Sequence, residues 1–167
     1  MAVFCLLKES WVLRGKTFYV LKEFDKSLSD YEKAIEKGIK TAEIYFSKGL
    51  CYFRMQQYEN AVAMFGKAIE LNPDIDESYV YRGISLASCG KFNEALEDLN
   101  YAEKLNPIDE IYLNRGKVYY SLEKYDKSIE DYTKCIKLNS EEPLVHFYRG
   151  RAYYMNHNCK YINPRPR

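Results

Sequence analysis

Apolar and polar residues alternate along this chain with a period of three to four, in blocks separated by short polar stretches. That period gathers apolar side chains on one side of a helix and predicts amphipathic helices throughout. One block is odd for a helix. The segment YLNRGKVYY, Tyr112 to Tyr120, carries Gly116 at its centre with no turn residue beside it. A glycine there costs about 1 kcal/mol relative to alanine, so a reason other than helix formation must keep it.

The same block recurs as SWVLRGKTFYV, IYFSKGLCYF, SYVYRGISLAS and VHFYRGRAYYM. The glycines Gly15, Gly49, Gly83, Gly116 and Gly150 stand at intervals of 34, 34, 33 and 34 residues, and they are five of the eight in the chain. Such a register implies a place where a side chain does not fit. Other residues keep the same beat. Trp11, Tyr45, Tyr79, Tyr112 and His146 precede the glycines by four positions. Small residues (Ser27, Ala61, Ala95, Ser128) follow by twelve, bulky ones (Tyr31, Phe65, Leu99, Tyr132) by sixteen, and small ones (Ala34, Ala68, Ala102, Cys135) by nineteen. Each unit is therefore expected to be two helices joined by a short turn. The second helix approaches the first closely at the glycine. Asp25, Glu59, Asn93 and Asp126 are expected at the starts of the second helices, where aspartate and asparagine can cap free N–H groups. Asp74 with Glu77 resembles a capping box, and Pro143 suits the first turn of the last helix. Pro73 and Pro107 close two units.

The period, with rings and small residues in these places, resembles the tetratricopeptide repeat. The resemblance covers about Lys8 to Met155. It departs at Arg14, Lys48, Arg82, Arg115 and Arg149, where leucine is usual just before the glycine, and Ser140 stands where a closing proline would fall. It implies an all-α solenoid, a right-handed superhelix of antiparallel helix pairs, with four full repeats (8–41, 42–75, 76–108, 109–142) and the first helix of a fifth (143–156). Residues 1–7 form an apolar extension expected to pack onto the first helix, and 157–167 an irregular basic tail.

The resemblance also implies a concave groove lined by the first helices, in which a peptide or helix of another protein docks. Counting each glycine as position eight, position five is apolar in every unit: Val12, Phe46, Val80, Leu113 and Phe147. Tyr81, Asn114 and Tyr148 lie beside it at position six, with Lys16, Lys117 and Arg151 at position nine and Arg54 near by. These twelve residues are the predicted groove; the alternative is that position five packs against the neighbouring unit. An apolar slot with interleaved cations suits a segment bearing apolar side chains and carboxylates. Position two is glutamate in four units (Glu9, Glu43, Glu77, Glu110) and Leu144 in the fifth. One branch of the family clamps the acidic tail of heat-shock chaperones with lysines and asparagines at set positions. Only Asn114 matches that set here, and the glutamates would repel such a tail. A chaperone-associated adaptor without the clamp remains an alternative, as does an assembly or spacer module.

Composition narrows the rest. The net charge of +1 gives no footprint for nucleic acid or an anionic membrane surface, and no apolar run approaches the roughly 20 residues of a bilayer span. The expected compartment is the cytosol. Cys5, Cys51, Cys89, Cys135 and Cys159 form no C-x-x-C pair, so neither metal nor disulfide framework is suggested, and no cofactor is expected. His146 and His157 are the only histidines and belong to no catalytic cluster; the chain reads as a non-catalytic scaffold. The fifth unit breaks off after its first helix, leaving His146, Gly150 and Tyr153 on the side that a second helix would cover. Either the tail lies over that side, or another chain covers it, self-association included.

Overall fold

The computed structural model describes the backbone of residues 2–139 and 143–162 and the side chains of 10–139 and 143–157. The described residues form helices and no strand, in two compact units. The first holds α1 (Ala2–Val20), α2 (Phe24–Glu36), α3 (Ala42–Arg54), α4 (Tyr58–Leu71) and α5 (Asp76–Ser88). The second holds α6 (Phe92–Leu105), α7 (Asp109–Ser121), α8 (Tyr125–Leu138) and α9 (Pro143–Ile162). Within each unit, helices consecutive in the chain pack side by side, and α1, α3 and α5 also touch in turn, as do α7 and α9. The two ends differ from expectation. Residues 2–7 are the first turns of α1 rather than a separate extension, and 157–162 continue α9; the rest of the expected tail, 163–167, lies outside the described residues.

The mid-helix glycines admit a ring. A Cβ on Gly15 would lie 2.8 Å from the Tyr31 ring, on Gly49 2.6 Å from Phe65, and on Gly116 2.6 Å from Tyr132. All three rings are at most 1% exposed. The burial of these large rings offsets the lost helix propensity. The small residue twelve positions on also acts as a fastener in two repeats: Ser27 Oγ donates to the Gly15 carbonyl and Ser128 Oγ to that of Gly116, each at 2.8 Å. Around these contacts the first unit buries Leu28, Tyr31, Ala34, Ile44 and Cys51 together. The second buries Tyr112, Tyr132, Cys135, Val145 and Ala152.

The helix starts correct two expectations. α2, α4 and α8 begin at the ring itself (Phe24, Tyr58, Tyr125), after Glu23, Gln57 and Lys124, none of which caps with its side chain. Asp25, Glu59 and Asp126 thus sit inside the first turn, where a carboxylate meets the positive helix end without capping it; Asn93 likewise lies inside α6. The expected capping box is also absent. α5 starts at Asp76 behind Ile75, with no side-chain cap, and the backbone N–H of Asp74 donates to Asn72 Oδ1 instead. Thr41 does cap α3, accepting from the Ile44 N–H at 3.4 Å.

Two of the arginines before the glycines, Arg14 and Arg115, each form an ion pair to the following helix. Arg14 meets Asp30 through two bonds of 2.5 and 2.7 Å. Arg115 meets Asp131 through two of 2.8 Å and also donates to Asn100 at 2.7 Å and to Glu103. The bond from Arg14 holds the Asp30 carboxyl below its usual pKa, and the bond from Arg115 does the same for Glu103. A carboxylate depressed in the folded state stabilises fully above its unfolded pKa of about 4 and loses that contribution as pH falls through the folded value. Thermal unfolding is therefore expected to be flat from about pH 7 to 5 and to drop steeply below about pH 4. Asp30→Asn should flatten part of that acid limb; a limb of unchanged slope would show that the pair contributes nothing to it.

Candidate functional site

The predicted groove residues fall six to a unit. In the first unit, Val80 is 2% exposed and belongs to the core, not to a binding surface. Val12 is half-buried against the first core. Phe46 and Tyr81 enter a ring cluster with Phe53 and Phe65, in which Tyr81 stacks on Phe65 at 5.8 Å and meets Phe46 edge-on at 5.9 Å. Lys16 pairs with Glu43 at 2.5 Å, and Arg54 Nε donates to Tyr19 Oη at 3.2 Å. The side chains of this unit largely satisfy one another.

The second unit arranges its six differently. Leu113 is half-buried against the second core, and the Asn114 amide turns back to the Glu110 carbonyl at 2.9 Å. Phe147 is 62% exposed, its ring 6.0 Å from that of Tyr148. Lys117, Tyr148 and Arg151 come together with Tyr120, Ser121 and Tyr132 around a cleft of ≈ 180 Å³ between α7, α8 and α9. Lys117 Nζ lies 5.4 Å from the Tyr148 ring centre, and the Arg151 guanidinium 5.1 Å from that of Tyr120. Tyr148 in turn stacks on Tyr132 at 5.9 Å.

This arrangement follows from the repeat. Lys117 and Arg151 stand just after their glycines, one helix apart, while Tyr132 presses on Gly116 and forms the floor. Burial pushes the Tyr132 hydroxyl up to about 12. Both cations are exposed, so their attraction for an anion is screened by salt. The cleft combines flat apolar walls with two cationic rims. Sequence reasoning placed three of its six lining residues among the predicted site; Tyr132 went unrecognised because its position reads as packing, and it serves both purposes. A wider depression of ≈ 420 Å³ beside the α1–α2 turn is lined by Lys22, Glu23, Phe24, Asp25, Lys26 and Met55, a mixed-charge surface away from the predicted groove.

Among the described residues no group of three or more His, Cys, Asp or Glu could hold a metal ion. No helix among them is long and apolar enough to cross a membrane. Cys51 and Cys135 are buried free thiols. Residues 42–75 and 110–142 match the sequence profile of the tetratricopeptide repeat. These two segments are tetratricopeptide repeats. The chain's α-solenoid fold is shared with solved structures of low sequence identity. MamA is 22% identical, with 94% of this chain and 85% of that one aligned at a TM-score of 0.85. YrrB, a tetratricopeptide protein with an unusual peptide-binding site, is also 22% identical, over 86% of this chain and 74% of that one, at 0.80. The first tetratricopeptide domain of Spaghetti (RPAP3), bound to the HSP90 peptide SRMEEVD, is 23% identical, over 70% of this chain and 97% of that one, at 0.66. No curated protein sequence matches significantly.

Proposed function

We propose that this chain is a non-catalytic interaction scaffold whose α7–α9 cleft receives a segment of another protein. The observation that supports this reading is the cleft itself: three tyrosines with Lys117 and Arg151 at its edges. Tyrosine offers contact area at low entropic cost and a polar tip. The cations suit a carboxylate beside an apolar side chain. The exposed Phe147 extends the apolar surface along α9. YrrB and the Spaghetti domain bind peptides; with them this chain shares a fold, and the chemistry proposed here comes from its own side chains.

Selecting a displayed peptide library on the intact protein tests this. Enriched sequences should place Asp, Glu or a terminal carboxylate next to an aliphatic or aromatic residue. Binding should fall about tenfold or more in Lys117→Glu/Arg151→Glu, a loss of about 1.4 kcal/mol or more. It should fall in Phe147→Ala too, with melting temperature nearly unchanged in both, because these side chains are exposed. Enriched peptides that bind the double variant as tightly as the parent would remove the cleft from the account.

A further inference from the structure

A second surface, separate from the cleft, is marked by the repeat glycines. Gly15, Gly49 and Gly116 each receive a ring from the helix that follows. At Gly150 no described atom lies within 4 Å of a Cβ position. The residues flanking it on that side are open as well: His146 is exposed and Tyr153 is 47% exposed, whereas their counterparts Tyr112 and Tyr119 in α7 are buried and half-buried. α9 thus presents a slot of the kind that is filled elsewhere in the chain.

The filled slots show what such a slot accepts. The buried residues of α2 include Ser27, Asp30, Tyr31 and Ala34, and those of α8 include Ser128, Asp131, Tyr132 and Cys135. The serine donates to the glycine carbonyl, the aspartate accepts from two nitrogens of the arginine before that glycine, and the tyrosine lies on the glycine. Arg149 stands before Gly150 as Arg14 and Arg115 stand before theirs. Its described bond is a long one, 3.5 Å to Thr133 Oγ1. From 143 to 157, α9 contains Arg149 and Arg151 and no Asp or Glu, so its charge favours an acidic helix. At the spacing that supplies Asp30 and Tyr31 to Gly15, this sequence offers Arg165 and Pro166, which provide neither a carboxylate nor an aromatic face.

We infer that the Gly150 face of α9 docks an acidic helix of another polypeptide with the pattern Ser-x-x-Asp-Tyr-x-x-Ala. The aspartate pairs with Arg149 and the tyrosine lies on Gly150. A helix of this pattern satisfies all three contacts at once, which sets it apart from a merely apolar partner.

The probe is a labelled peptide with the sequence of residues 24–36, FDKSLSDYEKAIE, linked between positions 29 and 33 to keep it helical, since free helices of this length are marginal. It is titrated with the full chain and checked for helicity by circular dichroism. Binding is expected, weakened about tenfold or more by Gly150→Leu and by Arg149→Glu, with melting temperature preserved in Gly150→Leu because the slot is open. A peptide carrying Asp30→Arg should lose binding to the parent and regain it on Arg149→Glu. A helical peptide that does not bind overturns the inference. So does binding indifferent to both substitutions, which would place the peptide in the slot of α2 or α8. A dimer detected by sedimentation that excludes the peptide overturns it too, by making a second copy the occupant.

Discussion

Arg115→Ala is expected to lower the unfolding free energy by about 3–5 kcal/mol, the range for breaking a buried ion pair from one side. Arg115 is 5% exposed and its partner Asp131 2%. Burial acts against the guanidinium charge, but the bonds to Asp131 and Glu103 outweigh it, and the pKa of Arg115 lies above its ordinary value. Removing the guanidinium leaves the Asp131 carboxylate buried without its counter-ion and also strips Asn100 and Glu103 of a donor. Arg14→Ala should cost clearly less, because the Arg14 side chain is 54% exposed and its removal opens the buried Asp30 to water. Replacing both partners, Arg115→Met with Asp131→Leu, should recover the part of the loss that comes from the unpaired Asp131, since an apolar pair of similar volume often matches a buried ion pair. Urea unfolding monitored at the tyrosines would measure all three. A loss below about 1 kcal/mol for Arg115→Ala would mean that the pair behaves as a surface bridge.

Gly49→Ala should destabilise by about 1–3 kcal/mol, as overpacking does, although alanine adds about 1 kcal/mol of helix propensity. The added methyl would sit 2.6 Å from the Phe65 ring, which is 0% exposed and also packs against Phe46 and Tyr81. The ring cannot withdraw without disturbing that cluster. At Gly150 the same substitution should have the opposite sign, a gain of up to about 1 kcal/mol, because no described neighbour stands in the way. Paired urea titrations decide the matter. Equal effects at the two sites would show that close approach does not explain the glycines.

Much of this was legible in the sequence, because the repeat writes its packing into a fixed spacing. The glycine intervals and the rings sixteen residues later located the helix contacts at Gly15, Gly49 and Gly116. The binding surface was less legible. A position-five residue is apolar whether it faces a partner or the core, so the pattern could not separate Val80, which is buried, from Phe147, which is exposed. The arginines before the glycines read only as departures from the family. Their meaning lay in a pairing that spacing could have revealed: Asp30 and Asp131 each stand sixteen residues after an arginine, whereas Met64 follows Lys48 at that distance. The cap assignments at Asp25, Glu59 and Asp126 each missed by two residues. The same carboxylate favours the first turn through its charge and the cap through its hydrogen bond, and composition does not distinguish the two.

The turns inside the repeats carry one more consequence. Lys22, Gln56 and Glu123 adopt φ of 61°, 60° and 57°, in a conformation that glycine usually supplies, as Gly90 does at 78°. In each of the three, a backbone bond spans the corner, from Glu23 to Phe18, from Gln57 to Tyr52 and from Lys124 to Tyr119. The corner is thus held by main-chain geometry, and the residue at its apex is free to drift. Units built this way can be copied, lost or recombined without inventing a new connection, so an array of such pairs can change length while each joint keeps its shape.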